Sequence, residues 1–298
     1  MKRLNKILSL VISLSLVFIL SACTSGAVAN QDITERISES DAPVITWGVK
    51  ADTNLLGFYD ISAREIAGFD IDIAKAITAE ITNGQGRAEV VEVTSKTRIP
   101  LLKNGNIDAI IATMTITPAR AEQVHFSDVY FQAGQSLLVH KDSTVNSIND
   151  LNGDHTVIGI KGSTSVQNFR ELKPEVQVIE LENYSEGFVA LQSGQGDALT
   201  TDSAILLGMI DQNPDYRLAG ENFTEEPYGI AINLNQNSFQ ALVDQALDTI
   251  QENGVYDEIY DKWFGEIYPA HEPGSPSTSR TPYANPDGLD DTEEGGNE

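Results

Sequence analysis

Thr94–Asp128, TSKTRIPLLKNGNIDAIIATMTITPARAEQVHFSD, decides the fold. It reads as helix, strand, loop, helix. Thr94 or Ser95 caps a helix that carries Ile99, Leu101 and Leu102 and stops at Asn104-Gly105. Asp108-Ala109-Ile110-Ile111-Ala112 is a short apolar run of the kind buried in a parallel sheet. Thr113 to Thr117 form a hydroxyl-rich loop, and Pro118 takes the first position of the next helix with Thr117 as its cap. Arg120 then falls in that helix's first turn, where the helix dipole prefers acids. A cation set against the dipole is well placed for an anion, at the carboxyl end of a strand, where open α/β sheets bind ligands. The alternative is a surface Arg paired with Glu122 or Asp128.

Around this stretch lies a chain of 298 residues, long enough for two lobes with cores of their own. Lys and Arg number 19 against 44 Asp and Glu, a net charge of -25. That excludes nucleic acid as a partner, since phosphate binding needs a basic surface. A small anionic ligand must be held by local positive charge against the global field.

The N-terminus reads as a targeting segment. Lys2, Arg3 and Lys6 precede the apolar run Ile7 to Leu20, which ends in Leu20-Ser21-Ala22-Cys23. This resembles a bacterial lipobox, which implies that Cys23 is lipidated and becomes the new N-terminus; the alternative is an ordinary secretory signal with a chance Cys. Cys23 is the only Cys of the chain, so disulfides play no part. Residues 1–22 are then a signal peptide and residues 23–42 a polar, lipidated tether. Residues 269–298, rich in Pro, Ser, Thr, Gly and acids, form a disordered acidic tail.

Between these ends, strands and helices alternate. Val44 to Val49 is a strand, and Gly68 to Ile81 leads into an amphipathic helix with Ile73, Ile77 and Ile81 on one face. Leu191-Gln192-Ser193-Gly194-Gln195-Gly196-Asp197-Ala198 echoes Leu102-Lys103-Asn104-Gly105-Asn106-Ile107-Asp108-Ala109. Both read as helix, Gly stop, Asp-Ala, strand. The fold class is therefore α/β: two Rossmann-like lobes joined by two crossing strands, with a ligand cleft between them. Residues 43–135 and 230–268 make lobe 1, and residues 136–229 make lobe 2, inserted into it. Two lobes on two strands form a hinge.

Several groups fall at strand ends. Lys161-Gly162-Ser163-Thr164-Ser165 is a turn whose amides can meet an anion, as many strand-to-helix turns can. Asp202, after Thr200-Thr201, either caps the next helix or pairs with an ammonium group. Asp52 invites the same two readings. Arg98, in the first turn of a helix, either faces solvent or binds an anion. Together Arg120 and amides offer one carboxylate site, Asp202 and Thr hydroxyls an ammonium site, and Arg98 or Lys161 a second anion site. That set complements an acidic α-amino acid.

Gly68 to Asp72, Asp108 to Arg120, Phe126-Ser127-Asp128, Tyr228 to Ala231, and Gly254 to Tyr260 with Lys262 to Gly265 carry a family likeness. The chain, from about Val44 to Phe264, resembles the extracytoplasmic solute-binding proteins of polar amino acid ABC importers, the type II periplasmic-binding-protein fold. Thr94-Ser95 with Arg98-Ile99-Pro100, and Thr201-Asp202, bring it nearer the glutamate-binding branch. The resemblance implies that Arg120, helped by Thr115, binds the ligand α-carboxylate, and that Asp202 with Thr113 takes the α-ammonium. Thr164 belongs to the segment that closes from the second lobe. Ser95 and Arg98 would contact the side-chain carboxylate, with Lys50 assisting. Glutamine-binding relatives carry an aromatic at the place of Ser95, no Arg at Arg98 and a His at Thr201. The expected ligand is thus L-glutamate, with glutamine or aspartate as alternatives.

The expected protein is a monomeric, non-enzymatic lipoprotein on the outer face of the cytoplasmic membrane. It needs no cofactor or metal and delivers its ligand to an ABC permease. A prephenate or arogenate dehydratase on the same fold would need a general acid or base in the cleft. A sensory module would need a signalling partner.

Overall fold

The computed structural model describes residues 32–265 and Ile267. The signal segment, Cys23, most of the tether and the acidic tail lie outside the described residues. In chain order the elements are α1 (Ile33–Ser38), β1 (Val44–Val49), β2 (Asp52–Thr53), β3 (Gly57–Asp60), β4 (Glu65–Ala67), α2 (Phe69–Ile81), β5 (Arg87–Glu92), α3 (Arg98–Lys103), β6 (Ala109–Ile110), α4 (Pro118–Ala121), β7 (His125–Ala133) and β8 (Gln135–His140). There follow β9 (Thr156–Ile160), α5 (Thr164–Leu172), β10 (Gln177–Leu181), α6 (Tyr184–Gln192), β11 (Ala198–Asp202), α7 (Ser203–Gln212), β12 (Tyr216–Leu218), β13 (Glu226–Ile232), α8 (Asn237–Glu252) and α9 (Val255–Phe264).

Two five-stranded sheets result, in the orders β5-β1-β6-β13-β7 and β10-β9-β11-β8-β12. In the first, β5, β1 and β6 run parallel and β13 antiparallel to both its neighbours. In the second, β10, β9 and β11 run parallel and β8 antiparallel to both of its own. β7 lies in one sheet and β8, after the single residue Gly134, in the other. β13 returns the chain, its Glu226 opposite Ala133 at the end of β7. These are the two crossing strands. A small sheet, β2-β3-β4, stands beside them.

The apolar patterns explain the packing. Ile45, Trp47 and Val49 of β1 are fully buried, and the Trp47 indole N–H donates to Thr78 Oγ1 on α2 at 2.9 Å. Phe69, at the head of α2, is ringed by Tyr130, Phe131, Tyr256, Tyr260 and Phe264 with centroids 5.4–6.4 Å away. Such aromatic contacts each add about 0.5–1.5 kcal/mol beyond burial. They bind α9, the last helix among the described residues, onto lobe 1, so lobe 1 is completed only after the chain has built lobe 2.

One stretch departs from the sequence reading. Residues 33–38, taken there as tether, form α1 with Ile33 and Ile37 in the core. Their i, i+4 spacing puts both on one face, and Asp32 caps the helix by accepting from the amides of Thr34 and Glu35. Arg36 reaches Asp108 at 2.7 Å, and the Ile33 amide donates to Gln236 Oε1 at 2.9 Å. A helix of six residues is held by these tertiary contacts rather than by its own propensity.

Candidate functional site

The carboxyl ends of the parallel strands of both sheets face one another, and the unusual residues gather there. Lobe 1 supplies Lys50 after β1, Ser95 after β5, Arg98 at the start of α3, Thr113 and Thr115 after β6, and Arg120 in α4. Lobe 2 supplies Thr164 at the start of α5, Tyr184 at the start of α6 and Asp202 at the end of β11.

Local structure sets each position. α3 begins at Arg98, and Thr97 just before it makes no side-chain bond to the helix. The cap is Thr94, whose Oγ1 accepts from the Thr97 amide at 3.2 Å while Thr97 Oγ1 accepts from the Thr94 amide at 3.0 Å. Ser95 is left free of capping and accepts from Lys50 Nζ at 2.9 Å. β6 is shorter than the apolar run because Thr113 turns the chain with φ 49°. Thr117 accepts from the Arg120 amide at 3.3 Å and caps α4, with Pro118 leading the helix.

The cations are confined. Lys50 is buried, and its ammonium lies 4.8 Å from the centroid of the Tyr184 ring. Burial pushes its pKa down to about 7; Asp52 and Asp202 resist, while Arg98 and Arg120 assist. Arg98 is 2% exposed, so it does not face solvent. Its Nη1 donates to the carbonyls of Ala112 at 2.6 Å and Thr113 at 3.3 Å, while its Nε has no hydrogen-bond partner. Burial, then the charge of Arg120, lowers its pKa to about 9. Arg120 is half-buried and touches both lobes: Nη1 donates to Thr115 O at 2.7 Å and Nη2 to Gly162 O at 3.2 Å. Its pKa is lowered by burial, against the pull of Asp202 and Glu226.

Asp202 is 3% exposed and heads α7 without capping it through its side chain. Its carboxylate instead accepts from the Tyr228 hydroxyl at 2.6 Å and from Ser165 at 3.5 Å. Burial raises its pKa to about 7 and Glu226 adds to the rise; the Tyr228 bond and Arg120 oppose them. Thr164 Oγ1 donates to Glu226 Oε2 at 3.0 Å and lies 3.5 Å from Thr115 Oγ1 across the cleft. Gly162 has φ +79°, and a Cβ there would lie 2.9 Å from Lys96 Cα, so only glycine lets this turn of lobe 2 meet lobe 1 so closely.

Two expected residues stand apart. Lys161 is half-exposed and pairs with Glu182 on the surface. Asp52 accepts from the Tyr184 amide at 2.6 Å, serving the start of α6 from across the lobe boundary. Sequence reasoning missed Tyr184, Tyr228, Glu226 and Asp70. β13 held a usable signal: its two-residue period puts Glu226 and Tyr228 on one face, and Tyr228 meets Asp202.

A buried acid beside hydroxyls, a two-lobe guanidinium and a buried amine form a compact polar site suited to a zwitterion. Comparison with known proteins agrees with this chemistry. The sequence profile of the bacterial extracellular solute-binding proteins, family 3, matches residues 45–266. The chain is 51% identical to the ABC transporter glutamine-binding protein GlnH of Bacillus subtilis (strain 168), over 88% of this chain and 98% of that protein. It is 31% identical to the glutamate-binding protein GluB of Corynebacterium efficiens, over 78% of this chain and 82% of that protein. A solved structure of an ancestral arginine-binding protein bound to glutamine superposes with a TM-score of 0.71 at 39% identity, covering 74% of this chain and 98% of that one. With its family profile spanning nearly all of the described fold, this chain belongs to the bacterial extracellular solute-binding proteins, family 3.

Proposed function

We propose that this protein captures L-glutamine outside the cell and presents it to an ABC permease. The coarser statement is that it is an extracytoplasmic binding protein for a polar amino acid, working with an ABC transporter. The observation that carries the finer one is the 51% identity to a glutamine-binding protein along 98% of that relative. Identity to the glutamate-binding relative is 31%. The sequence reading put glutamate first and glutamine as its alternative; the alternative is the better supported.

The charge layout is compatible with a neutral side chain. Arg98, on which the expectation of an acidic ligand rested, spends Nη1 on two backbone carbonyls. Lys50, with a pKa near 7, is a poor fixed cation, and its bond to Ser95 leaves the serine proton to donate to an amide oxygen. In this reading Arg120 and Thr115 take the α-carboxylate, Asp202 and Thr113 the α-ammonium, and Thr164 closes from lobe 2. Lys50, Ser95 and Arg98 read the side-chain amide. Charge-assisted hydrogen bonds of this kind are worth about 1.5–3 kcal/mol each. Cys23 carries the lipid that keeps the protein at the membrane, and the ligand leaves unchanged.

Calorimetric titration of the soluble domain with the common amino acids tests this. L-Glutamine is expected to bind most tightly. Tighter binding of L-glutamate would overturn the ligand assignment.

A further inference from the structure

Asp70 is fully buried in the first turn of α2, yet the ligand reading gives it no role. An acid in a helix's first turn serves the dipole equally well from the surface. Asp72, on the same turn, does so while bonding Lys262 and Trp263. Burying a carboxylate is costly unless it is hydrogen-bonded. Asp70 meets that need with two partners: Oδ1 accepts from the Tyr130 hydroxyl at 3.0 Å, and Oδ2 from the Thr113 amide at 3.1 Å.

Thr113 is itself out of the ordinary. Its φ of 49° is left-handed, a region β-branched residues avoid. Such strain persists only where the surroundings over-determine it. The surroundings here are a clamp. Asp70 holds the amide of Thr113 and Arg98 holds its carbonyl. The hydroxyl of Thr113 is buried and has no hydrogen-bond partner in the protein. In a packed interior an unpartnered hydroxyl is uncommon and points to a ligand.

We propose that Asp70 is a positioning residue for ligand binding: it fixes Thr113 in its strained backbone conformation, so that the Thr113 hydroxyl is presented to the ligand instead of to the protein. This rests on the amino acid reading of the site, in which Thr113 serves the α-ammonium. Asp70 acts through Thr113 and touches no ligand itself.

The test is a double-mutant cycle read by calorimetry with L-glutamine. Asp70→Ala should weaken binding roughly tenfold or more, because it leaves the buried Thr113 amide unpaired. Asp70→Asn keeps an acceptor for that amide and should restore most of the affinity; this variant also serves if Asp70→Ala fails to fold. Thr113→Gly lowers affinity by removing the hydroxyl, and glycine takes a positive φ without strain. In the Thr113→Gly background, substituting Asp70 should cost little further affinity. A merely structural Asp70 would lose the same factor in both backgrounds, and that result, or an Asp70→Ala protein of native affinity, overturns the proposal. If the wild type binds another common amino acid in place of glutamine, the ligand assignment fails and the cycle, run with that amino acid, still decides Asp70. If it binds none, both fall.

Discussion

Lobe 1 and lobe 2 are built to one plan and furnished differently. The plan shows in the echoed octapeptides. Gly105 and Gly194 sit at φ 71° and 73°. Their amides donate to Leu102 and Leu191, each at 3.0 Å, and the next amides donate to Leu101 and Ala190, also at 3.0 Å. Asp108 then bonds the Thr46 amide of β1 at 2.7 Å, as Asp197 bonds the Thr156 amide of β9 at 2.7 Å. What stands at the strand ends is not repeated. After β6 lobe 1 makes the strained turn at Thr113, whereas β11 runs into α7 through Asp202, whose φ is -69°. Lobe 1 carries Lys50, Arg98 and Arg120; lobe 2 brings the acid. The plan builds the sheet edge, and residues that break the plan build the site.

The largest effect should come from breaking this division of charge. Asp202→Ala removes the acid that lobe 2 offers and leaves a bound ammonium unpaired in a buried site, a loss of about 3–5 kcal/mol in ligand affinity by calorimetry. Asp197→Ala, a few residues upstream on the repeated part, should leave affinity within the error of the method.

An intermediate effect is expected from pH. Asp202 must be ionised to receive an ammonium group, and its pKa before binding is about 7. Affinity should therefore fall as pH drops from 7 to 5, approaching tenfold per unit for one linked proton. Ligand-free stability should trend the other way. The folded pKa of Asp202 and of Asp70 lies near 7, above the ordinary 3.8. The folded state then holds the protons more tightly between these values, so these two acids withdraw stability as pH rises through that window. Lys50, lowered from 10.5 to about 7, returns stability above 7, where the unfolded chain binds the extra proton. Thermal melts and titrations across pH 4–10 would show the opposed slopes.

The smallest effect sharpens the likeness. Asp108→Ala and Asp197→Ala each leave a strand amide without its acceptor, and urea unfolding should register about 1–3 kcal/mol for a buried case. The Asp108 substitution should cost more, because Asp108 also holds Arg36 and its amide contact is part-buried, while that of Asp197 is exposed. Equal losses would mean that α1 adds nothing to lobe 1.

Much of this was legible in the chain because the signals were local. Pro118 after Thr117 marks a helix start, and Asn104-Gly105 marks a stop. Arg120 stood out because a cation in a first turn conflicts with the dipole. The rest depended on partners far away in sequence. Asp70 and Thr113 lie 43 positions apart, and nothing in either segment announces their bond. Tyr228 looked like one more apolar strand residue until its hydroxyl met Asp202. Lys161 had the right local turn, yet a surface acid, Glu182, draws it away from the cleft. Arg98 stood out by its conflict with the helix, but local sequence could not show that backbone carbonyls occupy one of its arms. The ligand's side chain was the least legible part, since one amide against one carboxylate turns on how such arms are spent.

The short helix α1 has a mechanical meaning. Ile33 and Ile37 in the core, Arg36 on Asp108 and the Ile33 amide on Gln236 fasten the incoming chain to lobe 1. A pull on the N-terminus is therefore borne by the lobe 1 sheet and α8, and bypasses the two crossing strands. Whatever pulls on the chain ahead of α1, lobe 1 takes the load before the strand pair that joins it to lobe 2.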